Sequence, residues 1–327
     1  MGLAKLYGAM MVTILFITVV AALVFYGIMV LMGSPSITAL AIFIAIFYLF
    51  QWLLSPYIID AIYKVRPLEP GEEEWLQNAI RDIAARSGIN PPKPMIANIT
   101  IPNAFAYGNP LTGYRVAVTK GLLKLDGITR DEVIAVVGHE VGHIKHRDVA
   151  VMMLVGLLPA VILWLGEYLV RWGWLVGFNS RREEGALTPI AIVGFGALLV
   201  LIGFVLNLGI LYLSRLREYF ADAHSAYTVP NGARNLMRAL ARIMIASGYL
   251  KKRGLDPSKY GQLKALFISA PEQAIDPYTA YYYGRDIDRI VEIIKNEKPS
   301  LLKEIFSTHP HPAKRFRFLE QLMKTYR

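Results

Sequence analysis

Gly138-His139-Glu140-Val141-Gly142-His143-Ile144-Lys145-His146-Arg147-Asp148 is the stretch that decides how the rest of the chain is read. On an α-helix, positions four apart lie one above the other on a single face. His139 and His143 can therefore aim their imidazoles at one ion, which for zinc means nitrogens about 2.0–2.1 Å away. Glu140 stands beside that ion, where a carboxylate can take a proton from the water the ion activates. The pattern is the H-E-x-x-H of zinc hydrolases. Only six histidines occur in the 327 residues, which makes chance a weak explanation. Just upstream, Thr129-Arg130-Asp131-Glu132 carries a capping-box signature, Thr followed three residues later by Glu. It predicts a helix that starts there and carries the histidines to about Asp148.

A catalytic zinc takes three protein ligands and keeps one position open. His146 cannot be the third, because a rise of 1.5 Å per residue puts it about 10.5 Å along the axis from His139. The chain has no cysteine, so thiolate ligands and disulfides are excluded. Glu218 is the first candidate: it lies in a helical pattern, with Asp222 one turn later on the same face. Glu218 could then bind the ion while Asp222 accepts the free N–H of a zinc histidine and fixes its tautomer. Spacing leaves two alternatives open, His224 as the ligand or an ordinary charge cluster pairing these acids with Arg215 and Arg217.

A hydrophobic fraction of 54% and a mean hydropathy of +0.39 exceed those of ordinary soluble enzymes. The excess comes in blocks. Gly8–Met32 carries no charge over 25 residues, enough to cross about 30 Å of hydrocarbon, and is too long for the apolar part of a cleaved signal. Gly33-Ser34-Pro35-Ser36 turns the chain into a second uncharged stretch, Ile37 to about Ile59. Val149–Val170 and Pro189–Leu213 form a second apolar pair around the polar segment Arg171–Thr188, with long buried helices as the competing reading. The division expected is a transmembrane hairpin (1–60), the first half of a catalytic domain (61–148), a second transmembrane pair (149–213) and the second half (214–327). Lys5, Lys64 and Arg66 flank the first hairpin, whose turn has no positive charge, so the positive-inside rule puts the catalytic domain in the cytoplasm of a multi-pass membrane protein. The net charge of +10 fits attraction to anionic lipid, and no basic cluster interleaved with aromatics points to nucleic acid.

Within the catalytic part, Glu72–Arg86 reads as an amphipathic helix stopped by Gly88. Met95–Thr100, Ala104–Tyr107 and Tyr114–Thr119 read as short strands separated by Pro102-Asn103 and Gly108-Asn109-Pro110. A sheet edge beside the metal helix could hold an extended peptide through backbone hydrogen bonds, or be purely structural. Further helices are expected over Ala233–Ile245 and after Ser307-Thr308-His309-Pro310-His311-Pro312. The region 250–300, with Tyr278, Tyr281, Tyr282 and Tyr283, offers no chemistry.

Taken together, the chain resembles the HtpX-like membrane zinc metalloproteases, gluzincin-type relatives of the CAAX prenyl protease. The resemblance rests on the ordered motifs Asn103-Ala104-Phe105-Ala106-Tyr107-Gly108, Val116–Leu123, His139–His143, Arg217–Asp222, and Ser307–Pro310 with Arg315. It implies an α+β, mainly helical integral membrane protein with about four transmembrane helices and a zincin-like protease domain holding a small β-sheet. It implies one Zn²⁺ per chain on His139, His143 and Glu218, with Glu140 as general base and Asp222 orienting a zinc histidine. It implies Asn103, Ala104, Phe105, Ala106 and Tyr107 as the substrate strand, and His309 with Arg315 as the pair that steadies the oxyanion. His311 stands where relatives carry a second proline, which leaves open which of His309 and His311 faces the site. The implied activity is endopeptidase cleavage of membrane proteins in quality control. The rival readings are a prenyl-protein processing protease and a non-catalytic scaffold held together by zinc.

Overall fold

The computed structural model describes residues 52–179, 187–252 and 286–325, with isolated positions 12, 16, 19, 20, 23, 49, 50 and 268. Apart from those positions and residues 52–59, the first apolar hairpin lies outside the described residues, as does the tyrosine-rich stretch 278–283. The described chain divides into two compact units. One holds 52–149, 214–252, 268 and 286–325; the other holds 150–179 and 187–213 with the isolated positions 12, 16, 19, 20, 23, 49 and 50.

The first unit is built on four strands: β1 (Val65–Pro67), β2 (Lys93–Ala97), β3 (Ala104–Asn109) and β4 (Gly113–Thr119). Their order is β1-β2-β4-β3, with β2 and β4 parallel and the other pairs antiparallel. Strand β3 is thus an edge, paired through Ala104↔Val118 and Ala106↔Val116 with β4. Alternation along the strands sorts the side chains onto two faces. Ile96, Ala104, Ala106, Val116 and Val118 join the main core, while Met95, Ala97, Phe105, Tyr107 and Ala117 gather around Tyr63 on the other face.

Helix α1 (residues 52–63) groups with this sheet. The reason is polar: Asp60 accepts a hydrogen bond from the Tyr107 hydroxyl at 2.5 Å and pairs with Arg115. Helix α2 (Glu74–Ser87) ends as expected, with Gly88 in the left-handed conformation at φ 64°. The short α3 (Lys120–Leu123) is capped by Thr119. Helix α4 (Arg130–Lys145) opens with the expected capping box between Thr129 and Glu132. Val133, Val136, Val137 and Val141 bury it in the core. It stops short of the boundary read from sequence: His146 is its C-cap and Arg147 takes φ 55°. A new helix, α5 (Asp148–Asn179), starts at once. After α6 (Leu187–Thr228) come α7 (Gly232–Lys252), α8 (Ile287–Asn296), the short α9 (Leu301–Ile305) and α10 (Pro312–Thr325). Leu236, Leu240, Ile290, Phe316 and Leu319 from these helices complete the core.

Among its described residues, the second unit is built mainly of the apolar parts of α5 and α6. Val155, Ile162 and Leu169 meet Leu199, Leu206 and Leu213, a seven-residue repeat on each helix that makes a coiled-coil-like seam. The outward side chains are apolar too, among them Leu154, Trp164, Trp172, Leu198, Leu201 and Phe204. Both helices, over Asp148–Leu175 and Pro189–Thr228, are long and apolar enough to cross a membrane. Helix α5 runs on through Arg171, where sequence reading had placed a polar loop; an i,i+4 pair of Glu167 with Arg171 at 3.6 Å accompanies the extra turns. Helix α6 passes from its apolar part to the acid-bearing part without a break.

Two glycines set how closely α4 and α6 approach. A Cβ on Gly138 would lie 3.2 Å from Ser225 Oγ and 2.6 Å from Val229 Cγ2 just past the end of α6, and one on Gly142 would lie 2.9 Å from His224 Cβ and 3.1 Å from Ala221 Cα. Because these glycines alternate with the histidines, the contact that excludes a side chain also brings α6 up to His139 and His143. Gly142→Leu should therefore lower the unfolding midpoint by an overpacking cost of about 1–3 kcal/mol and reduce metal bound per chain. Thermal unfolding and metal analysis of the purified variant check both.

Candidate metal centre

Helix α4 supplies the first half of the centre. His139 Nε2 and His143 Nε2 face each other 3.1 Å apart, with the rings edge to face. Helix α6 brings Glu218, whose Oε2 lies 3.7 Å from His139 Nε2 and whose Oε1 lies 3.6 Å from His143 Nε2. Among the described residues these three form the one group whose ligand atoms converge within 4.8 Å. Ligands about 2.0–2.1 Å from a tetrahedral ion stand about 3.3–3.4 Å from one another, so the spacing suits a single zinc-sized cation.

The tautomers make the same point more strongly. His139 Nδ1 stands 3.0 Å from Asp222 Oδ1, and His143 Nδ1 stands 2.6 Å from Asp148 Oδ2. A carboxylate has no proton to give, so the Nδ1 that faces one carries the proton, donated to Asp148 in His143 and held beside Asp222 in His139, and each Nε2 presents a lone pair. Two imidazole lone pairs and a carboxylate oxygen then converge on one buried point. Glu218 Oε2 makes no hydrogen bond there. A cation relieves that arrangement, and the donor set of two imidazoles and one carboxylate is one that zinc accepts. Burial also holds His139 below the ordinary histidine range, against the pull of Asp222, so the ring stays neutral and able to ligate.

Glu140 lies next to this point and is nearly fully buried. Its Oε2 accepts a hydrogen bond from Ala106 N at 2.8 Å, which ties the carboxylate to the edge strand β3. Burial pushes its carboxyl up to about 7. A cation on the adjacent imidazoles opposes that shift by favouring the carboxylate.

The remaining histidines sort themselves by partner. His309 Nε2 faces Glu218 Oε1 at 3.8 Å, and its Nδ1 is 2.9 Å from the Thr308 hydroxyl. His311 instead accepts from Ala313 N through Nδ1, at the start of α10, and its Nε2 lies 3.7 Å from Glu297. His309 is therefore the one at the site. His146 donates from Nδ1 to Gly142 O at 2.8 Å, and His224 Nε2 lies 2.9 Å from Ser87 Oγ; neither joins the cluster.

Arg315 is buried among the acids. It donates to both oxygens of Asp222, at 2.9 and 2.6 Å, and to Ile268 O at 2.8 Å, and it lies 3.4 Å from Glu218 Oε2. The substrate strand anticipated from sequence is present as an edge. Its side chains do not all turn to the metal, however: Ala104 and Ala106 face the core shared with α4, while Phe105 and Tyr107 point to the opposite face of the sheet. Asn103 is buried just before the strand, donating its N–H to Thr119 Oγ1 at 2.9 Å and accepting from Ile268 N at 3.0 Å.

Sequence reasoning missed Asp148 and Arg217. Asp148 orients His143, and it is in turn ion-paired with Arg217, which also donates to His146 O at 2.8 Å. The available signal was an Asp five residues past the second histidine. It only becomes meaningful once the helix is known to stop at Lys145, since the left-handed Arg147 swings Asp148 back toward the ring.

Two helix-borne histidines four apart, an adjacent glutamate and a carboxylate ligand from a second helix define the site of a metal-dependent hydrolase. The comparisons agree: the chain belongs to Peptidase family M48, whose family model matches residues 70–323. It is 43% identical over 274 residues to a protein named Protease HtpX homolog from Aeropyrum pernix, covering 84% of this chain and 82% of the relative. It is 35% identical over 335 residues to Protease HtpX homolog 2 from Sulfurisphaera tokodaii, covering 98% of both. A third relative, Protease HtpX homolog from Thermoplasma acidophilum, is 38% identical over 278 residues, 83% of this chain and 81% of its own. No solved structure matches. The chain is accordingly a metalloprotease of the HtpX type.

The orienting acids should show in metal affinity. Asp148→Asn and Asp222→Asn should each weaken metal binding by about 10–100-fold, the usual result of losing the hydrogen bond behind a metal histidine. Competition titration against a chromophoric chelator reads this directly.

Proposed function

We propose that this chain is a zinc-dependent endopeptidase embedded in the membrane, with its catalytic unit in the cytoplasm, where it cuts membrane proteins as part of their quality control. The observation that carries the zinc assignment is the pair of Nε2 lone pairs 3.1 Å apart, closed by the Glu218 carboxylate. His139, His143 and Glu218 would hold the ion. Bound there, zinc supplies Lewis acidity, polarising the scissile carbonyl and acidifying a water in the position the three ligands leave open.

The chain's own groups do the rest. Glu140 is the general base: with Oε2 fixed by Ala106 N–H, its other oxygen takes the proton of the attacking water and later hands it to the leaving amine. His309, with Thr308 donating to Nδ1, keeps its proton on Nε2 and offers it to the oxygen on which negative charge develops. Arg315 steadies the same region through Asp222 and Glu218, whose charges it offsets. An extended substrate runs along the edge strand β3, which leads its backbone past Glu140.

The membrane reading is supported by the two long apolar helices and by their apolar outer faces. The cytoplasmic orientation is supported by Lys64 and Arg66 at the exit of the first apolar hairpin. Three protein ligands with an open position favour catalysis over a purely structural metal, which takes four.

Glu140→Gln should retain its metal while proteolysis of a misfolded membrane-protein substrate falls by at least about 10²-fold. Normal cleavage by that variant would remove Glu140 from the mechanism. In the native enzyme, stripping the metal with a chelator should abolish cleavage, and zinc should restore it. Cleavage confined to farnesylated peptides would redirect the assignment to prenyl-protein processing.

A further inference from the structure

Helix α9 is amphipathic in the wrong sense for a surface bathed in water. Leu301 is 71% exposed, Leu302 74% and Phe306 60%, and Ile305 also stands partly in the open. The one acid of the segment turns inward instead. The Glu304 side chain is only 11% exposed, pairs with Lys314 and accepts from His311 N at 3.4 Å. Four large apolar groups within six residues thus face out around a satisfied, inward carboxylate. Apolar patches of this kind mark contact surfaces.

The position of the segment says which contact. Arg215 donates to three of its carbonyls, Glu304 O at 2.8 Å, Ile305 O at 3.2 Å and Ser307 O at 2.7 Å. Arg215 lies two residues beyond Leu213 on the uninterrupted helix α6, about 3 Å along its axis from the end of the apolar stretch. The segment is therefore tied to a residue that follows, within one helical turn, the point where the sequence of α6 changes from apolar to charged. Tyr212, beside that change, is 42% exposed, the kind of ring that settles at a bilayer surface.

We propose that α9 and Phe306 form a membrane-interface element, with Leu301, Leu302, Ile305 and Phe306 seated among lipid headgroups and upper acyl chains and Arg215 holding the segment at that depth. Helices that present one apolar face to a bilayer lie in its plane in this way. The proposal rests on the reading of α6 as a membrane span, so its test has to separate the two.

The absence of cysteine makes that possible, because each introduced thiol labels uniquely. The full chain is prepared as Leu302→Cys, Phe306→Cys, Leu201→Cys and Arg81→Cys, each labelled with an environment-sensitive fluorophore. Each is reconstituted in vesicles of phosphatidylcholine and phosphatidylglycerol carrying brominated acyl chains, after its metal content has been matched to the parent. Positions 302 and 306 should emit to the blue of position 81 and lose most emission with bromines nearest the headgroups. Position 201, on the outer face of α6, should be quenched by bromines deeper in the bilayer. If 201 is quenched and 302 and 306 behave like 81, the interface element is wrong while the span stands. If 201 is not quenched either, the span reading fails and takes the proposal with it. If 302 and 306 are shielded only on adding casein, the surface docks polypeptide instead and the proposal is overturned.

Discussion

The whole arrangement depends on two imidazole lone pairs held 3.1 Å apart in a buried pocket. Neither nitrogen can turn away, because Asp222 and Asp148 fix the opposite side of each ring. Without a cation between them, two lone pairs and a carboxylate would repel one another where water cannot screen them. The fold therefore holds the histidines in a geometry that a cation would favour, and it does so through a layered chain of charges: the two histidines, then Asp148 and Asp222, then Arg217 and Arg315.

This layering explains why the ligands are drawn from distant parts of the chain. Helix α4 alone can offer two nitrogens on one face, and geometry forbids it a third. The third ligand arrives on α6, and the approach of the two helices is set by Gly138 and Gly142, where no side chain fits. Helix α10 then delivers Arg315, and the loop before it delivers His309, to the opposite side of Glu218. The edge strand closes the site from the sheet side through a single bond from Ala106 to Glu140.

Much of this was legible in the residues. The capping box at Thr129, the i,i+4 histidines, the helix stop at Gly88 and the strands around Gly108-Asn109-Pro110 are local signals, and local signals survive into the structure. The choice between Glu218 and His224 was not local. It depended on which face of α6 meets α4, and His224 proves to face Ser87. Asp148 was hidden because a helix break at a non-glycine residue, Arg147 at φ 55°, leaves little trace in composition. Arg315 was legible as a residue of the site, but its partners were not: its guanidinium donates to Asp222 and to Ile268 O, contacts between distant segments that no local pattern announces. The continuation of α5 past Arg171 leaves no mark in the hydropathy, because polarity changes there while the backbone bonds of a helix continue regardless of side-chain polarity.

The central claim is that one zinc ion sits on His139, His143 and Glu218. Zinc K-edge X-ray absorption on the purified chain tests it most directly. The account predicts one zinc per chain, two imidazole nitrogens and a carboxylate oxygen at about 2.0–2.1 Å, and a loss of the carboxylate contribution in Glu218→Ala. A spectrum with more than two imidazoles, or one left unchanged by removing Glu218, would contradict it.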